Sequence, residues 1–125
     1  MTVAPHYLDA RQRLALVEAT DLTVLPYREH PGVQGSGVIT DYLARGVPVV
    51  ATDVANMREL VGDAGVMVSP GDPAALASAL DRVAGDPDFL AVLQAAARRR
   101  AALFSPATHA MRSLAFFGRV VQGTR

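Results

Sequence analysis

The amino-acid sequence predicts an α/β domain: a parallel Rossmann-like sheet of about four strands, flanked by helices and ending in a helical C-terminal tail. Three observations lead there. Four short apolar runs alternate with helical patterns along the 125 residues, as they do when parallel strands are joined by helical crossovers. The runs at 22–25, 48–50 and 66–68 are rich in Val and Leu without polar alternation, as expected of strands buried on both faces. Later in the chain, Asp72-Pro73, Asp86-Pro87 and Ser105-Pro106 each set a capping side chain before a proline, the pattern of a helix start.

Taken in order, a weak first run at 2–4 precedes a short amphipathic helix carrying Leu8, Leu14, Leu16, Val17 and Ala19. The second run, 22–25, leads into a loop at 30–36 rich in Gly and Pro. Such a loop at the carboxyl end of a strand lies where doubly wound sheets bind ligands. A second helix opens at Gly37 or Val38 and closes at Gly46, a helix-terminating residue. After the runs at 48–50 and 66–68 come three helices. Leu76, Leu80 and Val83 line the first; Leu90, Leu93, Ala97 and Ala101 line the second; Met111, Leu114, Ala115 and residues 117–121 line the last. The Ala/Arg stretch at 95–102 reads as plain helix.

Composition narrows the function classes. Half of the residues are apolar, enough for one domain with a core. No run reaches the roughly 18–20 apolar residues of a membrane span, and the N-terminus lacks a secretory layout, so a cytoplasmic location is expected. Cysteine is absent and the three histidines lie far apart, which removes thiolate chemistry and leaves no expected metal site. Net charge is zero, which argues against general attraction to nucleic acid or anionic membranes. All twelve basic residues are arginines, so any role usually filled by lysine falls elsewhere. A four-stranded sheet whose first strand begins at Met1 has an exposed edge and a thin core, so part of the fold is expected to be missing upstream.

The chemistry concentrates in residues 25–54, LPYREHPGVQGSGVITDYLARGVPVVATDV. Gly35, Ser36 and Gly37 stand where the second helix begins, so free backbone amides point out of its N-terminus. Glycines let a backbone approach a diphosphate closely, and the Ser36 hydroxyl would add a donor. Asp41 lies one turn on, on the face shared with Gly37 and Val38, where its carboxylate could accept a ribose diol. By spacing alone, an ordinary turn and a dipole-favoured surface acid are the more frequent readings of these residues. The run departs from G-x-G-x-x-G at Thr40, lacks the lysine of a P-loop, and is not a G-x-S-x-G elbow.

Over residues 3–121 the chain resembles the distal part of the C-terminal domain of retaining glycosyltransferases built from two Rossmann-like domains (the GT-B architecture, glycosyl transferases group 1). The stretches ATDLTVLPY, GSGVITDYLARGVPVVATDV, MRELVGDAGVMVSPGDPAALASAL and FSPATHAMRSLAFF carry the resemblance, in the order of that family's signatures. It implies that residues 1–125 form a partial donor-binding domain, with the upstream half and the N-terminal acceptor domain absent. It further implies a nucleotide-diphosphate-sugar substrate, no cofactor and no metal. The turn at Gly35, Ser36, Gly37 and Val38 would hold the diphosphate, and Asp41 would take the ribose position, with Asp for Glu shortening the reach. The family's donor-sugar acid falls eight positions earlier, on Val33. Neither Val33 nor Gln34 is acidic; the loop resembles a subgroup with a glutamine and a Ser-Gly pair here, which implies that Gln34 could bond a sugar hydroxyl as an amide.

The family's diphosphate-neutralising Arg and Lys correspond to positions before Met1, which leaves Arg28 as the candidate substitute. No residue reads as a catalytic nucleophile or general base. Pro5, His6 and Tyr7 fall where the family's base sits, Tyr7 also fitting plain loop packing. Glu59, beside Arg58 in place of a proline, reads as structural; Asp53 reads as a turn cap; Arg98, Arg99 and Arg100 read as a solvated helix face. Two functions follow: a glycosyltransferase fragment or subunit, or a noncatalytic nucleotide-binding or docking module whose partner protein carries the missing half. Nucleic-acid binding is disfavoured by the neutral charge.

Overall fold

The computed structural model describes residues 7–32 and 36–123. Along the chain run α1 (Ala10–Glu18), β1 (Thr23–Leu25), α2 (Gly37–Leu43), β2 (Val49–Thr52), α3 (Met57–Val61), β3 (Gly65–Val68), α4 (Pro73–Gly85), α5 (Pro87–Ala101), a 3-10 turn (Ala102–Phe104) and α6 (Pro106–Gln122). Among the described residues the sheet has three strands in the order β1-β2-β3, all parallel. The expected strand at 2–4 lies outside the described residues.

The helix starts follow from local chemistry. Asp9 and Gln12 form a reciprocal cap on α1, the Gln12 amide donating to Asp9 at 2.8 Å and the Asp9 amide to Gln12 at 3.0 Å. Asp72, Asp86 and Ser105 accept from the amides of Ala75, Phe89 and Thr108 at 2.9, 2.9 and 3.1 Å. In each of these three helices proline occupies the first turn, where no amide partner is needed. Gly46 adopts φ +76° beyond α2, the left-handed conformation that glycine takes readily.

All four residues of β2 are buried, because helices cover the sheet on both sides. One cluster gathers Ile39, Leu43, Val49, Ala51, Met57 and Val61 with Ala96 and Ala97 of α5. The second gathers Val50, Val68, Ala79, Val83 and Leu93. Successive β2 side chains alternate between them, as the strand period requires. Val49 stands opposite Gly65, where an added Cβ would come within 1.9 Å of the Val49 carbonyl oxygen; only glycine fits that approach.

Three details differ from the sequence expectation. The α3 helix was not foreseen, because five residues carry too little periodicity to register. Strand β2 continues through Ala51 and Thr52. Arg98, Arg99 and Arg100 do more than face solvent: Arg99 pairs with Asp63 at 3.1 Å, and Arg100 donates from Nε to the Leu60 carbonyl at 2.9 Å and also to that of Glu59. Arg98 packs where a Gly46 side chain would be. The basic run thus ties α5 to the carboxyl ends of α2 and α3, where cations meet the helix dipole favourably. By contrast, no residue of α6 is buried, and Met111, Leu114, Phe117 and Val121 are exposed.

Candidate functional site

At the carboxyl edge of the sheet, β1 runs out at Leu25 and the chain turns back into α2 at Gly37. Ser36 caps α2: its hydroxyl accepts from the Ile39 amide at 3.4 Å and shares a 2.9 Å hydrogen bond with the Tyr27 phenol. Tyr27 is fixed in turn, since its carbonyl accepts from the Thr52 hydroxyl at 2.7 Å. The start of α2 is therefore anchored to the ends of both β1 and β2. The expectation that the Ser36 hydroxyl stands open as a donor is corrected, because Ser36 is buried and its oxygen serves the cap and the phenol.

Among the described residues, an added Cβ at Gly37 would meet nothing within 4 Å, and Val38 is 43% exposed, so the side-chain positions at the start of α2 face open space. With seven residues, α2 has only a small macrodipole, and any anion held here would rely on amides rather than on the helix field. Gln34 and Gly35 lie outside the described residues, as do Val33, Pro5 and His6.

Asp41 is exposed one turn along α2 and faces α1 across a groove of about 210 Å³ lined by Ala10, Arg13, Leu14, Val17, Asp41 and Arg45. Arg45 donates from Nη1 to the Asp41 carbonyl at 3.2 Å, which holds its guanidinium beside the Asp41 residue. Arg28 is elsewhere. It lines a second groove, of about 300 Å³, with Pro26, Tyr27, Thr52, Gly71 and Asp72. The candidate substitute cation and the candidate ribose acid thus line different grooves.

Tyr7 is fully exposed, contrary to the loop-packing expectation. Asp53 binds the Arg58 side chain, with Arg58 Nε at 3.2 and 3.0 Å from its two oxygens, so it is an ion-pair partner across the turn rather than a backbone cap. The hydrogen bond and charge of Asp53 hold the Arg58 guanidinium above its ordinary pKa. Between them Ala55 sits at φ +49°, a conformation disfavoured for any side chain. Glu59 is exposed, and its carbonyl receives Arg100. Among the described residues no cluster of three or more His, Asp or Glu could hold a metal, and no helix is long and apolar enough to cross a membrane.

A parallel sheet covered by helices on both faces, with a ligand-accessible carboxyl edge, defines a Rossmann-like α/β protein. Comparison with known proteins specifies the family. Residues 5–86 match the model of glycosyl transferases group 1, and the chain belongs to that family. A D-inositol 3-phosphate glycosyltransferase of Thermobispora bispora is 42% identical over 89 residues, 69% of this chain and 20% of the relative. A glycogen synthase of Mycobacterium tuberculosis is 37% identical over 98 residues, 76% of this chain and 21% of the relative. Among solved structures, sucrose-phosphate synthase of Thermosynechococcus elongatus is similar with a TM-score of 0.73 and 28% identity, over 90% of this chain and 28% of that one. The chain spans about a fifth of the length of these curated relatives, a share in keeping with part of a GT-B C-terminal domain.

Proposed function

We propose that this chain forms the donor-binding edge of a glycosyltransferase, which takes a nucleotide-diphosphate sugar and passes the glycosyl group to an acceptor with retention of anomeric configuration. In this reading Gly35, Ser36, Gly37 and Val38 surround the diphosphate, Asp41 accepts the ribose hydroxyls and Gln34 bonds the donor sugar. The observation that carries it is the open first turn of α2, pinned by Ser36 and Tyr27 within the family-matched region. Amides aimed at the bridging oxygens stabilise charge on the departing diphosphate, so the chemistry is electrostatic and asks for no metal or cofactor. No described side chain is assigned as nucleophile or general base. A cytoplasmic setting suits such a donor. Calorimetry with UDP, GDP and ADP tests the site: Asp41→Ala weakens the best ligand about tenfold, as loss of charged hydrogen bonds does. Unchanged affinity for all three rejects the assignment.

A second reading is favoured by the exposed apolar face of α6: a noncatalytic module docking through that helix onto a protein carrying the rest of the fold. Native mass in cell extract separates the two, a stable lone monomer counting against an obligatory partner.

A further inference from the structure

The groove between α1 and α2 contains more than the acid at Asp41. Ala10, Arg13, Leu14 and Val17 form one face of α1 at spacings of three and four, and Asp41 and Arg45 are one turn apart on α2. Two arginines therefore share the groove with one carboxylate, giving it a net positive charge. Neither is in an ion pair: among the described residues the pairs are Arg58 with Asp53 and Arg99 with Asp63. The Arg13 side chain makes no hydrogen bond among the described residues, and Arg45 uses one nitrogen on the Asp41 carbonyl. Most of the guanidinium donors in the groove are unspent beside an acid suited to a diol.

We infer that Arg13 and Arg45 supply the positive charge that a nucleoside diphosphate needs in this groove, acting beside Asp41 in place of Arg28. The inference rests on the donor-binding reading above. A carboxylate that accepts hydroxyls, with cations beside it, suits a ribose whose phosphate chain runs toward the turn before α2, the positive charge acting on it across the groove. The turn before α2 contributes amides but no charge, and the chain has no lysine to add any. Arg28 opens on the other groove, against Asp72 and Thr52. The guanidinium of Arg45 already lies against the Asp41 main chain, so little side-chain freedom remains to be lost when a ligand enters.

The experiment is calorimetric titration of the full chain with UDP, GDP and ADP and with uridine, guanosine and adenosine, repeated over a series of salt concentrations. Arg13→Gln and Arg45→Gln are each expected to weaken the best diphosphate roughly five- to twentyfold, with nucleoside affinity unchanged and a shallower salt dependence. Arg13→Lys should recover part of the loss, and Arg28→Gln should have no effect. Circular dichroism and melting confirm that these exposed variants stay folded. Diphosphate affinity unchanged in both glutamine variants overturns the inference; if Asp41→Ala still weakens binding, the donor-edge reading survives it. A loss in Arg28→Gln alone also overturns the inference. A wild-type chain that binds none of the six ligands overturns both.

Discussion

The phenol of Tyr27 and the hydroxyl of Ser36 meet at 2.9 Å across the glycine-rich loop that joins β1 to α2. That bond closes the loop from both ends. Tyr27 is held to β2 by Thr52, and Ser36 begins α2. Ser36→Ala removes both the cap and the phenol's partner, and is expected to cost about 1–2 kcal/mol in urea unfolding. Tyr27→Phe removes only the bond and is expected to cost about 1 kcal/mol. A Ser36→Ala variant as stable as wild type would show that the loop does not depend on this contact.

Gly65 is expected to tolerate no side chain. An added Cβ would meet the Val49 carbonyl oxygen at 1.9 Å and the Val61 side chain at 2.7 Å. The first is backbone in a central strand and has nowhere to move. Gly65→Ala should destabilise the chain by about 3 kcal/mol or more, at the upper end for overpacking, or prevent soluble expression; unfolding midpoints check this.

Ala55 offers the opposite case. Its φ of +49° is strained for a side chain, and Ala55→Gly should raise stability by about 0.5–1 kcal/mol, since relief of strain exceeds the added freedom of the unfolded chain. A lower melting temperature in the variant would show that its methyl group packs usefully.

The Arg58–Asp53 pair leads to a pH prediction. Asp53 raises the Arg58 pKa, so the linked stability is fully present below the unfolded value and is lost only as pH rises through the folded one. Both lie in strongly alkaline solution. Between about pH 6 and 9 the contribution of Arg58 is constant, and Arg58→Gln should leave the shape of the stability profile there unchanged in thermal melts.

Much of this architecture was legible because the decisive signals are local. Asp72-Pro73, Asp86-Pro87 and Ser105-Pro106 each fix a helix start within four residues, and each cap is present. Apolar runs located all three described strands but not their ends: Ala51 and Thr52 extend β2 because Met67 and Val68 continue the pairing. For the proposed site, the order of motifs singled out Asp41 and the turn before it as candidates. Arg13 and Arg45 escaped notice because nothing local links them; they share a groove only once α1 and α2 pack side by side. The same limit hid the ties from Arg99 and Arg100, whose partners stand 36 and 40 residues away.

Helix α5 contributes Leu93 to one hydrophobic cluster and Ala96 and Ala97 to the other. A chain built this way has no half-melted state in which one layer survives alone, because releasing α5 exposes both sides of β2 together. Amide hydrogens of β2 and the middle of α5 should therefore exchange with solvent through one shared opening event, at a common free energy, while those of α6 exchange well ahead of them.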